Sequence, residues 1–314
     1  DIEDLIAEEE VVITKTYLGY VKRMPLSTYR SQRRGGRGVT GATTVDEDFV
    51  EHIFVGTTHH VVMFFTNQGN VYKLKAYEIP EASRTARGTA IVNLIPLKPG
   101  ERVNAMITIE NFDEARYLIF VTKNGIVKKT LLSEYNSTRK TGLIAISLRE
   151  DDELISVRLV NSNDEIILGT SQGMSIRFSV NDVSAVGRTA CGVKGISLRS
   201  GDSVVSMDVV RQGEDVLVVT EQGFGKRTHE KEFRLQSRGG KGVILQKITE
   251  KTGPVAGLRV VGEHDEIMLC TASGIMIRML ASDISKMSRN TRGVTLIKLE
   301  ENDKITSMAV VTEN

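Results

Sequence analysis

The sequence predicts an all-β protein in which six tandem units of about fifty residues, each of about four short strands, close into a propeller-like disc. Three observations predict it. The first is a column of turn tetrads: Thr16-Tyr17-Leu18-Gly19, Thr66-Asn67-Gln68-Gly69, Thr122-Lys123-Asn124-Gly125, Thr170-Ser171-Gln172-Gly173, Thr220-Glu221-Gln222-Gly223 and Thr271-Ala272-Ser273-Gly274, with glycine spacings of 50, 56, 48, 50 and 51. The second is a later glycine column, Gly38, Gly88, Gly142, Gly192, Gly242 and Gly293, which trails the first by 19 residues in five units and by 17 in the third. The third is that no segment sustains a capped 3.6-residue apolar period.

Within a unit, a β-rich run such as Tyr117–Val121 precedes the tetrad, whose x-Gly turn is a hairpin signal best formed at Asn124-Gly125. A second strand follows, as at Val71–Leu74, then a polar loop ending in the later glycine. A third strand is expected after that glycine, from apolar residues at plus four and plus six: Val92 and Leu94, Ile146 and Leu148, Ile196 and Leu198, Ile297 and Leu299. A fourth strand, as at Val205–Val209 or Ile305–Val310, completes the unit. Closure into a ring removes exposed sheet edges, whereas two β-sandwiches would not keep one phase across six units. Residues 1–10 (DIEDLIAEEE) read as an acidic linker or small clasp, and 11–314 as a single six-bladed domain. The first repeat departs from the pattern, with Ala42 and Thr44 at its apolar positions, beside the richest arginine loop in the chain, which is what a functional insertion into a repeat looks like.

Charge adds a third periodicity. The net charge is only +1, from 41 basic and 40 acidic residues, but the signs are segregated within each unit. Four residues after the turn glycine stand Arg23, Lys73, Lys129, Arg177, Arg227 and Arg278. Four residues before the later glycine stand Arg34, Arg84, Arg188, Arg238 and Arg289, with Thr138 in the third unit and Arg139 beside it. One residue before that glycine stand Arg37, Arg87, Lys241 and Arg292, a series broken by Thr141 and Cys191. Acidic clusters such as Asp46-Glu47-Asp48 and Glu150–Glu153 lie between the third and fourth expected strands. Solvated strand ends would also carry such cations, but rings of them on a rigid disc suit a long polyanion such as duplex DNA. No recognition helix or zinc module is present to read a groove, so contacts to phosphate rather than base are expected.

Other chemistries find little support. There is no phosphate-binding Gly-x-x-x-x-Gly-Lys-Ser/Thr loop, no Gly-x-Ser-x-Gly elbow and no zinc-ligand spacing among His52, His59, His60, His229 and His264. Cys191 and Cys270 read as packing residues, and with no secretory or membrane-spanning run a cytoplasmic protein is expected.

The densest cationic stretch is Gln32-Arg33-Arg34-Gly35-Gly36-Arg37-Gly38, with a degenerate copy at Gln236–Gly242. This heptad resembles the GyrA box of the C-terminal domains of the A subunits of bacterial DNA gyrases, although those more often have lysine where Arg37 stands. Gly19–Arg23 and Ala82–Gly88 through Ile91–Leu94 look like the same family, and the resemblance covers essentially the whole chain. It implies a six-bladed β-pinwheel that bends duplex DNA around a basic rim so that strand passage introduces negative supercoils. The box Gln32, Arg33, Arg34, Gly35, Gly36, Arg37 and Gly38 is then needed for wrapping, and the cationic columns would be the rim. The family also implies partners in an N-terminal cleavage core, which holds the DNA-cleaving tyrosine, and in the gyrase B subunit, which hydrolyses ATP with Mg. No catalytic residue, metal or cofactor is expected on this chain. Two other readings remain open: a protein-binding propeller scaffold of the kelch kind, with weaker salt dependence, and the equivalent domain of topoisomerase IV, whose box is degenerate or missing.

Overall fold

Each Thr-x-x-Gly tetrad builds the same hairpin. The threonine carbonyl accepts the glycine N–H, and its Oγ1 accepts the N–H four residues on, as in Ile126 N to Thr122 Oγ1 at 3.1 Å and Met174 N to Thr170 Oγ1 at 3.0 Å. The same side-chain bond is made by Thr16, Thr66, Thr220 and Thr271. All six tetrad glycines have φ between 84° and 91°, which a side chain would strain. The structure, a computed structural model, describes residues 1–28, 48, 50–112, 115–139 and 142–311. Gln32–Gly38, Ala42, Thr44 and Thr141 lie outside them.

The hairpins are Glu10–Thr16 with Tyr20–Pro25, Val61–Thr66 with Asn70–Lys75, Tyr117–Thr122 with Ile126–Leu131, Glu165–Thr170 with Met174–Ser179, Asp215–Thr220 with Phe224–His229, and Glu266–Thr271 with Met276–Leu280. The last strand of each repeat pairs with the free edge of the first: Val50–Thr57, Val103–Ile109, Leu154–Val160, Val204–Val209, Val255–Val261 and Ile305–Val311. These last strands touch one another in sequence, and Ile305–Val311 meets Val50–Thr57, so they surround the axis and close the ring. Apolar residues from adjacent blades form the cores between them, as where Phe65 of the second blade meets Phe120 of the third, ring centroids 5.7 Å apart.

The third expected strand is corrected. The segment after the later glycine forms only a two-residue strand, and it pairs with the preceding blade: Thr89–Ala90 with Tyr20 and Val21, Leu143–Ile144 with Asn70 and Val71, Val193–Lys194 with Ile126 and Val127, Val243–Ile244 with Met174 and Ser175, Val294–Thr295 with Phe224 and Gly225. These latches form the outer edge of five four-stranded sheets. The sixth sheet has three strands among the described residues; by phase, the counterpart of the latches falls at 39–40, outside them. Of the apolar pairs used to place that strand, Ile146, Ile196 and Ile297 are buried but Val92 is 65% exposed, because the chain turns at Ile91–Asn93 and inserts Ile91 and Ile95 instead.

The later glycine is where the latch docks. Gly88, Gly192, Gly242 and Gly293 have φ of 95°, 110°, 78° and 79°, and a Cβ at Gly242 would strike the Ser175 carbonyl on the preceding blade. Gly242→Ala is therefore expected to destabilise the domain by about 2 kcal/mol or more, strain and clash together. Gly213→Ala, with φ of 82° but nothing within 4 Å of a Cβ, should cost about 1 kcal/mol. Paired urea melts check this; equal losses would mean that the close approach contributes nothing.

At the N-terminus, a single turn at Ile2–Leu5 leads into residues held against the second repeat. Thr58 Oγ1 donates to Ala7 O at 2.8 Å, His59 Nε2 lies 2.8 Å from Ile6 O, and Lys75 pairs with Glu3 at 3.3 Å.

Candidate nucleic-acid interface

The column expected to form the rim, Arg23, Lys73, Lys129, Arg177, Arg227 and Arg278, lies on the second strand of every blade, and the structure places the first five at the seams rather than on the surface. Arg23 Nε donates to Ile79 O at 2.9 Å, Lys73 Nζ to Tyr135 O at 2.7 Å, Lys129 Nζ to Val180 O at 3.1 Å and Arg227 Nε to Ile284 O at 2.7 Å. Arg177 NH1 donates to Phe233 O at 3.1 Å and pairs with Glu230 at 2.5 Å. In each of these the acceptor belongs to the next repeat. Arg278, in the last blade, pairs with Glu266 of its own hairpin at 3.1 Å. Their side chains are mostly buried: 14% exposed at Arg23 and Arg177, 6% at Arg227. A loop that crosses a sheet edge turns carbonyls inward, and a long cationic side chain satisfies them. That need explains the column without any ligand.

A second set was not singled out from the sequence. Lys22, Lys128 and Lys226 stand one residue earlier, in alternate blades, and each collects the carbonyls of a neighbouring loop. Lys22 Nζ donates to Ser83 O, Arg84 O and Ala86 O at 3.0, 2.8 and 2.9 Å. Lys128 Nζ donates to Ala145 O at 2.5 Å, to Arg188 O, and to Tyr135 OH at 3.3 Å. Lys226 Nζ donates to Ser288 O at 2.8 Å, to Thr291 O at 2.9 Å and to Arg289 O. Burial pushes the Lys128 ammonium down to about 7 and that of Lys226 to about 8, helped by Arg188 and Arg289 respectively. The doublets Lys22-Arg23, Lys128-Lys129 and Lys226-Arg227 were the available signal, since neighbours on a strand face opposite ways and so do separate tasks.

The loops so held run back along the outer edge to their latches and carry the remaining cations. Arg84, Arg87, Arg139, Lys241 and Arg292 are exposed, and Arg87 stacks 4.3 Å over the Tyr20 ring. Arg188, Arg238 and Arg289 are half-buried. Each donates NH1 to the carbonyl of the preceding latch: to Ile144 at 2.5 Å, to Lys194 at 3.0 Å and to Ile244 at 2.9 Å. Successive loops also bond to each other, Ser147 N to Ala190 O at 3.1 Å, Ser197 N to Gly240 O at 2.9 Å and Lys247 N to Thr291 O at 3.1 Å. From the third repeat to the sixth the outer edge is thus one hydrogen-bonded band with cations along it. The degenerate copy Gln236–Gly242 lies in this band, with Arg238 Nε also donating to Asp182 O at 3.0 Å.

The acidic residues do different work. Asp48, Asp152, Asp202 and Asp303 accept the backbone N–H of Leu18, Asn124, Gln172 and Ser273 in the hairpin turns, at 2.9–3.0 Å. These carboxylates are tied to the turns, whereas Glu134 and Glu232 reach the outer loops and accept the N–H of Arg188 at 3.3 Å and of Arg289 at 3.4 Å. Among the described residues no group of three His, Cys, Asp or Glu could hold a metal ion, and no helix is long and apolar enough to cross a membrane.

Comparison with known proteins agrees with this architecture. The A subunit of DNA gyrase from Clostridium acetobutylicum is 57% identical over 314 residues, all of this chain and 38% of that protein; its counterpart from Halalkalibacterium halodurans is 54% identical over 309 residues, 98% of this chain and 37% of that protein. The chain thus spans little more than a third of the curated relatives it matches. A crystal structure of the C-terminal domain of DNA topoisomerase IV superposes with a TM-score of 0.82 at 32% identity, covering 98% of this chain and 94% of that one. A structure of a DNA gyrase A C-terminal domain gives 0.79 at 25% identity, covering 97% and 100%. The family described as DNA gyrase C-terminal domain, β-propeller, matches residues 16–56, 60–110, 116–161, 164–211, 214–262 and 265–312, one match per blade, and the chain belongs to that family.

Proposed function

We propose that this domain binds duplex DNA without sequence preference and bends it around its outer edge, enabling ATP-dependent negative supercoiling by a DNA gyrase. The observation that carries the reading is the band of mutually bonded loops, whose exposed cations repeat with the blades. The proposed contacts are Arg84, Arg87, Arg139, Lys241 and Arg292, with the outward N–H groups of Arg188, Arg238 and Arg289, and the box Gln32–Gly38 as the strongest single element. Arg23, Lys73, Lys129, Arg177 and Arg227 act beneath them by holding the loops, and Arg278, at the same position of the last blade, pairs with its own hairpin. Such contacts fix position on the duplex and carry no base information. Bending a 20–30 bp site by 40–90° costs on the order of 1–6 kcal/mol, which an extended row of phosphate contacts offsets. The proposed partners are the N-terminal cleavage core of gyrase and the gyrase B subunit; ATP and Mg belong to the rest of that enzyme, and the setting is the cytoplasm.

The test is topological. A nicked plasmid sealed by ligase with this chain bound should show a protein-dependent shift in linking number; no shift at saturation rejects wrapping. With about six to ten phosphates neutralised, affinity should fall roughly 10³–10⁵-fold between ~50 and ~200 mM salt, whereas a protein-binding scaffold would show no such slope. Changing Arg33, Arg34 and Arg37 together to alanine should abolish supercoiling by a reconstituted gyrase and leave relaxation largely intact. The topoisomerase IV neighbour favours a second reading as that enzyme's domain. It predicts no such selective loss.

A further inference from the structure

The last strands of five of the six repeats, all but the fourth, line a cavity of about 110 Å³ at the axis. Its wall includes His52, Asn104, Ser156, Arg158 and Arg259. Arg158 and Arg259 occupy equivalent positions of the third and fifth repeats, and Asp208 occupies that position in the repeat between them. Asp208 Oδ1 is 3.5 Å from Arg158 NH2, and Oδ2 is 3.3 Å from Arg259 Nε. The same two oxygens accept the N–H groups of Val209 and Val260, both at 2.8 Å. One fully engaged carboxylate therefore faces two guanidiniums. The acid that lines the cavity, Glu51, is taken by Lys15. The Nε of Arg158 is buried with no partner. His52 adds no charge of its own, because burial, and then Lys15, Arg259 and Arg158, push its pKa well below 6.5. Its neutral ring still has an N–H to donate.

We propose that this axial cavity is a binding site for a small inorganic oxyanion, phosphate or sulfate, held by Arg158, Arg259 and the His52 ring. The two guanidiniums are 31% and 27% exposed, so solvent screens part of their excess charge, and a counter-ion at the cavity would offset the rest. The cavity is polar, larger than a single water and fitted with donors, which suits such an anion. In the five four-stranded sheets the latch lies at the edge opposite the last strand, so the site is separate from the proposed DNA path and does not depend on that reading. An anion here ties together the third and fifth blades through Arg158 and Arg259, with the first blade through His52. Its occupancy stabilises the ring.

The test is calorimetric titration and thermal unfolding of the 314-residue chain with inorganic phosphate, at ionic strength held constant with sodium chloride. The expected result is a saturable, single-site rise in Tm. It should persist in the outer variant Arg84→Ala/Arg87→Ala and weaken by at least about tenfold in Arg158→Gln, the worth of one charge-assisted hydrogen bond. Asp208→Asn should shift affinity the other way, since it removes the competing carboxylate. A linear rise without saturation, or binding lost in the outer variant and kept in Arg158→Gln, overturns the proposal. Should Arg158→Gln fail to fold, crystals of the unaltered chain grown in selenate decide the matter. An anomalous peak on the axis supports the site, and its absence at saturating selenate refutes it.

Discussion

Arg227→Met is expected to lower the unfolding free energy of the domain by about 3–5 kcal/mol, the usual cost of removing one member of a buried ion pair. Arg227 and Asp215 have side chains 6% and 4% exposed, with NH1 3.2 Å from Oδ2. Asp215 Oδ1 already lacks a partner, so without the guanidinium the carboxylate would keep only Lys286, 3.5 Å away and half exposed. Ile284 O and Ser282 O of the next repeat would lose donors at 2.7 and 3.4 Å, loosening the seam between the fifth and sixth blades. Methionine keeps much of the apolar stem, so the loss reports charge and hydrogen bonds more than volume. Arg87→Met makes the contrast. Arg87 is exposed and stacked on Tyr20, and its loss should cost about 1 kcal/mol or less while weakening DNA association. Urea melts paired with DNA titrations separate the two. An Arg227→Met protein that melts like the parent but binds DNA as poorly as Arg87→Met would return the whole column to the rim. Adding Asp215→Leu to Arg227→Met should recover part of the lost stability, because it removes the stranded charge.

The radial fold was legible because its turns demand particular residues. A Thr-x-x-Gly turn needs a hydroxyl to take the N–H four residues on and a backbone that tolerates positive φ, and both needs recur once per blade. The latch was not legible as built. Two residues donated to a neighbouring blade, such as Val193–Lys194, are too short to show a strand period, and the glycine that lets them dock marks the place without naming the partner. The cationic columns were visible, but their direction was not. A lysine that meets a carbonyl and one that meets solvent look alike in a sequence, because the acceptor is backbone and carries no residue type. Periodicity therefore put Lys129 and Arg177 in one column with the right spacing, and only the inter-blade carbonyls of Val180 and Phe233 told seam from surface. In the −4 and −1 columns Arg84, Arg87, Lys241 and Arg292 are exposed, because polar, glycine-bearing loops are surface segments, whereas Arg188, Arg238 and Arg289 bond the preceding latch.

A lysine that no DNA could touch should still govern how the domain holds DNA. Lys226 is 0% exposed, and its ammonium is the common donor to Ser288 O, Arg289 O and Thr291 O. Lys226→Met removes those donors with little change in volume. At about 1 kcal/mol or more per stranded carbonyl, the loss should reach about 2–4 kcal/mol. Much of it should appear locally, as faster amide exchange across 286–292, because a loop opens to water before the ring unfolds. DNA affinity should fall with it, since Arg289 and Arg292 lose their fixed direction. Salt separates this from a lost contact: Lys226→Met should weaken binding at every ionic strength with nearly the parent slope, whereas Arg292→Ala should flatten the slope by about one unit. Proton linkage gives a second readout. Burial lowers the folded-state Lys226 pKa to about 8, against ~10.4 in the unfolded chain. Between those values the unfolded chain binds the extra proton, so this lysine adds stability as pH rises, by up to ~1.4 kcal/mol per unit. The gap between parent and Lys226→Met should therefore widen from pH ~8 to ~10. A constant gap, with unchanged exchange across the loop, would mean that the carbonyls hold their shape without the ammonium.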